Sequence, residues 1–143
     1  MYIHYGSTEF DENKWQDIEN EFVKPIGGLW ASPIDAEYGW RDWTLDNNYK
    51  CCNEYFKFEI KPEANVYKIH NINDLLKLPQ NKKSERHIWE PSPPYYIDFE
   101  KCKDIGIDAI ELCSLNNGLY WALYGWDCES IIILNKEIID TNI

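Results

Sequence analysis

The sequence predicts an α+β domain in which mixed, mainly antiparallel sheets surround a cleft and carry short helices. Strand-like segments outnumber helix-like ones and do not alternate with them regularly, which favours this class over repeated βαβ units. Residues 131–134 are consecutively apolar, as is typical of a central strand buried on both faces. With 143 residues, 44% of them apolar, the chain has the size of a single domain, residues 1–143.

The N-terminal part of the chain is predicted to contain a strand, a helix and a second strand. Residues 1–6 form the first strand, and the apolar spacing within 9–20 predicts a short helix. A flexible turn at Gly27 and Gly28 then leads into a short strand over 29–31. Such a turn allows a backbone to approach a flat ligand closely.

The segment that follows matches a helix start. Ser32 can cap, Pro33 suits the first helical position, and Asp35 lies three residues after the serine, as in a capping box. The helix is expected to extend to about residue 46, with Trp40 and Trp43 along one face.

The second half of the chain alternates short predicted elements with turns. Tyr55–Ile60 shows the strict alternation of a half-buried strand. The further predicted elements are a strand over Val66–Ile69, a short helix capped by Asn71 with Asp74 and ended by Pro79, an irregular lid or binding loop over 80–96, a helix over 98–105, a strand over 107–112 and an ambiguous segment over 118–126.

Charge and composition narrow the range of partners. The formal net charge is −11, so long-range electrostatics would repel nucleic acid, while a basic protein partner fits. There is no apolar run long enough to span a membrane and no secretion signal, so we expect a cytoplasmic protein without a membrane partner. The five cysteines include an adjacent pair and no CxxC motif, which predicts reduced cysteines and no metal site.

Three segments contain reactive or ligand-binding side chains at positions where the backbone could be accessible to a ligand. The first is His4-Tyr5-Gly6-Ser7 at a strand end, and the second runs from Gly27 through Trp30 and Ser32 to Trp43. The third is Asp127-Cys128-Glu129 before the buried strand. Each also has a purely structural interpretation: a strand-end histidine, tryptophans of the core and an acidic surface turn. Cys128 is a poor candidate nucleophile because two carboxylates would raise its pKa.

In this order the three segments resemble the mono-ADP-ribosyltransferase fold, on its diphtheria-toxin-like side. The matching features are a first strand ending in His-x-Gly-Ser, a later strand with a serine that leads into a helix, and an acidic residue at a late strand. The resemblance spans about residues 2–135 and implies that the cleft binds NAD as a substrate.

The resemblance also implies roles for individual residues. His4 would hydrogen-bond a ribose hydroxyl of NAD, the Gly6 backbone would bind the nicotinamide amide, and Glu129 would be the catalytic glutamate. In full, it implies the catalytic residues Glu129, His4 and Asp127 and the NAD-binding residues His4, Tyr5, Gly6, Ser7, Trp30, Ser32, Tyr38, Trp40 and Trp43.

The chain departs from the family pattern in ways that leave alternatives open. Tyr38 and Tyr49 match the tyrosine pair of these toxins only approximately, and Glu111 competes with Glu129 for the catalytic position. We therefore weigh three functions: ADP-ribosyl transfer from NAD to a macromolecular acceptor, with protein favoured, or NAD hydrolysis; a non-catalytic nucleotide- or protein-binding module of inhibitor-like character; and a carbohydrate-binding module.

Overall fold

The computed structural model describes residues 1–50, 52–81 and 95–143. It is an α+β structure with one seven-stranded mixed sheet and a few short helices, so the predicted class is confirmed at that level. The strands are β1 (Tyr2–Tyr5), β2 (Leu29–Pro33), β3 (Tyr55–Ile60), β4 (Val66–Ile69), β5 (Ala109–Leu112), β6 (Ser130–Ile133) and β7 (Ile139–Asp140). The α-helices are α1 (Trp40–Asp46), α2 (Ile72–Leu76), α3 (Phe99–Asp104) and α4 (Leu119–Ala122).

The strand order is β4-β5-β6-β2-β1-β3-β7. Only the β4–β5 pair is parallel among the ladders of the described chain, and the other neighbours are antiparallel. Strands β1, β2 and β6 are therefore consecutive in the middle of the sheet. This order brings together the three sequence segments singled out above, because each lies on or beside one of these strands.

Apolar side chains cover both faces of the sheet. On one face Ile132 and Ile110 pack with Trp126 and with residues of α3 and α4. On the other face Ile131 and Ile133 pack with Phe58. Burial on both faces explains the uninterrupted apolar run of β6, because alternate residues of a strand point to opposite sides. No helix in the three described ranges has the length and apolar character needed to cross a membrane.

Several predicted elements are confirmed almost to the residue. The alternation of Tyr55–Ile60 becomes β3, in which Phe56 and Phe58 are buried. The Asn71 side chain caps α2 by accepting a hydrogen bond from the Asp74 N–H at 2.8 Å. The segment 118–126, for which the sequence predicts no particular structure, begins with a left-handed Gly118 and contains the short helix α4.

The predicted helix start at Ser32 is wrong. Ser32 and Pro33 end strand β2, and α1 begins only at Trp40. Backbone pairing of Ser32 with Ile3 of β1 prevails over the local helix-start signal. The serine still caps the helix, but from a distance in sequence: its Oγ accepts a hydrogen bond from the Trp40 N–H at 3.0 Å.

Other predictions need correction as well. The segment 9–20 contains a single 3₁₀ turn, Glu12–Lys14, instead of a helix. The short C-terminal strand β7 was not predicted. In the predicted loop 80–96, Gln80 pairs with Ile97, and residues 82–94 lie outside the described residues.

The cysteines are only partly as expected. Cys102, Cys113 and Cys128 are free thiols. Cys52 is disulfide-bonded, which contradicts the expectation that all cysteines are reduced. Cys51 lies outside the described residues.

The Gly27–Gly28 turn packs tightly against neighbouring backbone, and Gly28 also lines a depression that reaches His4. Both residues have positive φ, at 79° and 68°. A Cβ on Gly28 would lie 2.6 Å from the Ile133 carbonyl oxygen, and one on Gly27 would lie 2.3 Å from the Asp17 carbonyl oxygen. The glycines are needed because the turn fits tightly beside β6.

We predict that Gly28→Ala destabilises the protein more than Gly106→Ala. Gly106 also has positive φ, at 94°, but nothing lies within 4 Å of a Cβ built there. Gly106→Ala should therefore cost only the left-handed backbone penalty, about 1–2 kcal/mol. Gly28→Ala adds a clash with rigid backbone, on the order of a further 1–3 kcal/mol. Urea denaturation of the two variants measures both changes, and equal destabilisation would contradict the packing seen at Gly28.

Candidate functional site

The hydroxyl of Ser32 joins the segments that form the candidate site. Its Oγ donates a hydrogen bond to the Glu129 carbonyl oxygen at 3.1 Å and accepts one from the Trp40 N–H at 3.0 Å. The side chain is almost completely buried, with 3% exposure. One group thus links the end of β2, the start of α1 and the segment before β6.

His4 lies on β1 beside this junction. Its Nδ1 lies 2.6 Å from the Trp30 carbonyl oxygen. A carbonyl only accepts, so Nδ1 carries the proton and donates it, and in the neutral ring Nε2 is the acceptor. The imidazole packs on the Phe56 ring at 5.1 Å between centroids. The strand-end histidine is therefore held in one orientation.

A compact cavity lies over β1 and β2, and we call it the indole cavity. Its volume is about 280 Å³. Trp30 and Trp40 are half-buried in its wall, and the Trp30 and Trp126 rings are nearly perpendicular, with their centroids 4.9 Å apart. The cavity is lined by Ile3, His4, Tyr5, Lys24, Trp30, Ala31, Ser32, Trp40, Trp126, Cys128 and Ser130.

A second cavity of about 480 Å³ adjoins it, and we call it the outer cavity. Tyr5, Lys24 and Trp40 line both cavities. Trp40, Trp43 and Tyr49 form a continuous stack beside the outer cavity, with successive centroids 5.1 and 5.2 Å apart. The outer cavity is lined by Tyr5, Gly6, Lys24, Trp40, Trp43, Thr44, Tyr49, Lys50, Cys52 and Asp127.

Lys24 is a site residue that the sequence analysis missed. Its Nζ lies 5.8 Å from the Trp30 ring centroid and 6.0 Å from that of Trp40, within the range of cation–π attraction. The same ammonium forms an ion pair with Asp127 at 3.6 Å. The only sequence signal was a lysine placed just before the Gly27–Gly28 turn.

Glu129 does not line the indole cavity. Its Oε2 accepts a hydrogen bond from the Tyr38 N–H at 2.7 Å, and its own N–H donates to the Tyr38 carbonyl oxygen at 2.9 Å. Both residues line a third cavity of about 430 Å³, the acidic cavity, together with Asp35, Glu37 and Glu111. The expected single pocket shared by His4 and Glu129 is therefore divided, with the Ser32–Glu129 backbone contact as the wall between its parts.

The remaining predicted residues are distributed among these cavities. Tyr5, Trp30, Ser32 and Trp40 share the indole cavity with His4. Gly6, Trp43 and Asp127 line the outer cavity. Ser7 lies in a separate depression of about 290 Å³ that also reaches His4. Tyr38 lies in the acidic cavity, so its ring is not part of the indole cavity.

Glu111, the rival carboxylate, is buried in a short hydrogen-bonded cluster. The Tyr2 hydroxyl donates to its Oε1, and the Cys113 thiol donates to its Oε2 at 3.3 Å. Burial, together with the Glu111 charge, raises the pKa of Cys113 to about 12. Burial, together with the hydrogen bond to Glu111, also raises the pKa of the Tyr2 hydroxyl. Both donors are therefore neutral near pH 8, which makes Glu111 a hydrogen-bonded acceptor in the wall of the acidic cavity.

Across the described part of the chain, no group of three or more His, Cys, Asp or Glu side chains is arranged to hold a metal ion. Comparison with family models, with curated protein sequences and with solved structures finds no match to this chain. Inference about function therefore depends on the site itself.

We predict that Glu111→Gln makes Cys113 more reactive toward iodoacetamide at pH 8.5. The raised thiol pKa leaves little thiolate in the wild-type protein, and removing the neighbouring negative charge lowers that pKa. Mass spectrometry of the Cys113 peptide over time measures the alkylation rate. Glu37→Gln removes a carboxylate from the same cavity without contacting the thiol. Equal rates in both variants would mean that Glu111 does not control Cys113.

Proposed function

We propose that this protein binds NAD and breaks the bond between nicotinamide and ribose, transferring ADP-ribose to a macromolecular acceptor or to water. The observation that carries the proposal is the Ser32 junction. Its hydrogen bonds connect the start of α1 at Trp40 to the backbone of Glu129, and Ser32 itself lies on β2, which pairs with the strand that contains His4. These are the three segments on which the resemblance to ADP-ribosyltransferases depends.

The indole cavity suits the nicotinamide ring. Its volume of about 280 Å³ lies at the small end of ligand pockets, which fits one heteroaromatic ring better than a whole dinucleotide. Trp30 and Trp40 are half-buried, and Trp40, which stacks on Trp43 on one side, would use its other face together with Trp30 to stack on the ring. The adjoining outer cavity, with Lys24 and Lys50 in its lining, would accept the negatively charged remainder of NAD.

The remaining groups would then act on the ribose. His4 would present Nε2 to a ribose hydroxyl, since Nδ1 is engaged by the Trp30 carbonyl. The Gly6 N–H is donated to the Glu54 carbonyl oxygen at 2.9 Å, so the Gly6 carbonyl, at the edge of the outer cavity, would be the backbone group offered to the nicotinamide amide. Cleavage of the glycosidic bond builds positive charge on the sugar, and a carboxylate near that charge stabilises the transition state.

Glu129 belongs to the junction through its backbone, and Asp127 lies two residues before it. Glu129 uses Oε2 for the Tyr38 N–H, and its second carboxylate oxygen would serve the ribose of a ligand that reaches past the Ser32 wall toward the acidic cavity. Asp127 would act as the accessory acid at the outer cavity. The net charge of −11 favours a basic protein as the acceptor.

One observation favours a second candidate, a non-catalytic nucleotide- or protein-binding module. Glu129 already has a structural task, because its carboxylate and N–H hold both backbone groups of Tyr38. His4 and Glu129 also line different cavities. A protein that uses its glutamate only in this way would bind NAD or ADP-ribose without releasing nicotinamide.

The two candidates separate in one assay. The protein is incubated with NAD labelled in the adenylate part and a cell lysate, and free nicotinamide and labelled macromolecules are measured together. Nicotinamide with labelled protein supports transfer, and nicotinamide alone supports hydrolysis. Thermal stabilisation by NAD with no nicotinamide supports the binding module and overturns the enzymatic proposal.

We predict that Glu129→Gln lowers nicotinamide release by on the order of a hundredfold or more, because the charge that stabilises the transition state is lost. The fold should persist, since the glutamine amide oxygen can still accept the Tyr38 N–H. Glu63→Gln, on an exposed turn, is the matched control and should keep wild-type activity. Wild-type turnover in the Glu129 variant, measured by chromatography of nicotinamide, would exclude Glu129 as the catalytic carboxylate.

A further inference from the structure

The indole cavity already contains a cation from its own chain. The Lys24 ammonium lies 5.8 Å from the Trp30 ring centroid and 6.0 Å from that of Trp40. Two indoles around one ammonium form an aromatic cation site, because the face of each ring carries negative electrostatic potential. The lysine comes from the segment before the Gly27–Gly28 turn, whereas the rings come from β2 and α1.

A second group holds the same ammonium from outside the cavity. Asp127 pairs with Lys24 at 3.6 Å and lines the outer cavity but not the indole cavity. The Asp127 side chain is only 20% exposed, and its backbone is left-handed at φ 69°. Asp127 is thus a mostly buried anion that pairs with the ammonium from the side of the outer cavity.

We propose that Lys24 is an internal occupant of this aromatic site and that a flat monocationic ring binds by displacing its ammonium toward Asp127. The identity of that ring rests on the proposed function: the nicotinamide of NAD is a pyridinium cation. The inference adds a residue that neither the resemblance nor the sequence analysis assigned. It also gives the site a preference for charge as well as for shape.

The preference has a consequence for turnover. A pyridinium ring gains the cation–π attraction that Lys24 gives up, so the exchange is nearly balanced and the substrate can enter. Released nicotinamide is neutral and gains no such attraction. Lys24 would then return to the rings and favour product release. A protein whose binding-competent state is only partly populated shows a correspondingly weakened apparent affinity.

Two small ligands test the inference without any turnover. 1-Methylnicotinamide carries the pyridinium charge, and nicotinamide is its neutral counterpart. Each is titrated into the protein at fixed ionic strength, and binding is followed by indole fluorescence and calorimetry. We expect wild-type protein to bind 1-methylnicotinamide more tightly than nicotinamide. Equal affinities for the two ligands would overturn the inference.

Lys24→Met keeps the unbranched stem of the side chain as far as the Cε position and removes the charged end. It should tighten 1-methylnicotinamide binding by on the order of fivefold and nicotinamide binding by less, because both rings must displace the ammonium but only the cationic ring is also repelled by its charge. Lys103→Met is the matched control, because Lys103 also pairs with an aspartate at 3.6 Å and has similar exposure, 38% against 41%. It removes the same charge away from the rings. Equal tightening in both variants would mean that only net charge matters and would overturn the inference.

A measurement on the wild-type protein covers the case in which Lys24→Met does not fold. Mild acetylation followed by mass spectrometry reports how accessible each lysine amine is. Saturating 1-methylnicotinamide should speed acetylation of Lys24 relative to Lys103, and protection of Lys24 or no change would overturn the displacement. If the affinity and acetylation results are as expected but the protein does not cleave NAD, the enzymatic proposal is wrong and the cation-binding role of the indole cavity is retained.

Discussion

The buried hydroxyl of Ser32 is the interaction on which the candidate site depends. It is 3% exposed and serves as donor to the Glu129 carbonyl and acceptor from the Trp40 N–H. Leaving two such buried groups without partners costs roughly 1–3 kcal/mol each, so the hydroxyl strongly restricts where the three segments can lie. Ser32 lines the indole cavity and its partner Glu129 lines the acidic cavity, and the first N–H of α1 donates to the Ser32 hydroxyl. Through the Glu129 backbone it also orients the loop that carries Tyr38.

Features with a strong local cause were predictable from the sequence. The alternation in β3, the double-sided burial of β6 and the Asn71 cap of α2 each follow from side-chain patterns within a few residues. The end of β2 at Ser32 and Pro33 was not predictable, because the local helix-start signal competes with strand pairing to β1, and only tertiary structure decides between them. Strand β7 is two residues long and pairs with the end of β3, so it leaves no periodicity to detect.

The residues of the candidate site likewise divide into those that the sequence indicates and those that only tertiary contacts bring together. Sequence reasoning selected His4, Trp30, Ser32 and Trp40, and all four line the indole cavity. That Glu129 lines the acidic cavity instead of the indole cavity was not predictable. Its side chain is held there by the hydrogen bond from the Tyr38 N–H, a contact between residues far apart in sequence. Lys24 was missed for a similar reason: nothing in its neighbours indicates that its ammonium reaches the rings of β2 and α1. Contacts between groups far apart in sequence define this site.

Hydrogen exchange of single amides in Ser32→Ala tests the junction most directly. If the hydroxyl holds the segments together, its removal should speed exchange of the Trp40 and Tyr38 amides by on the order of tenfold, the equivalent of one hydrogen bond. The Cys102 amide, bonded to Asp98 within α3, should change much less. Unchanged exchange at Trp40 and Tyr38, or an equal increase at all three amides, would contradict the role of Ser32 as the organising contact of the site.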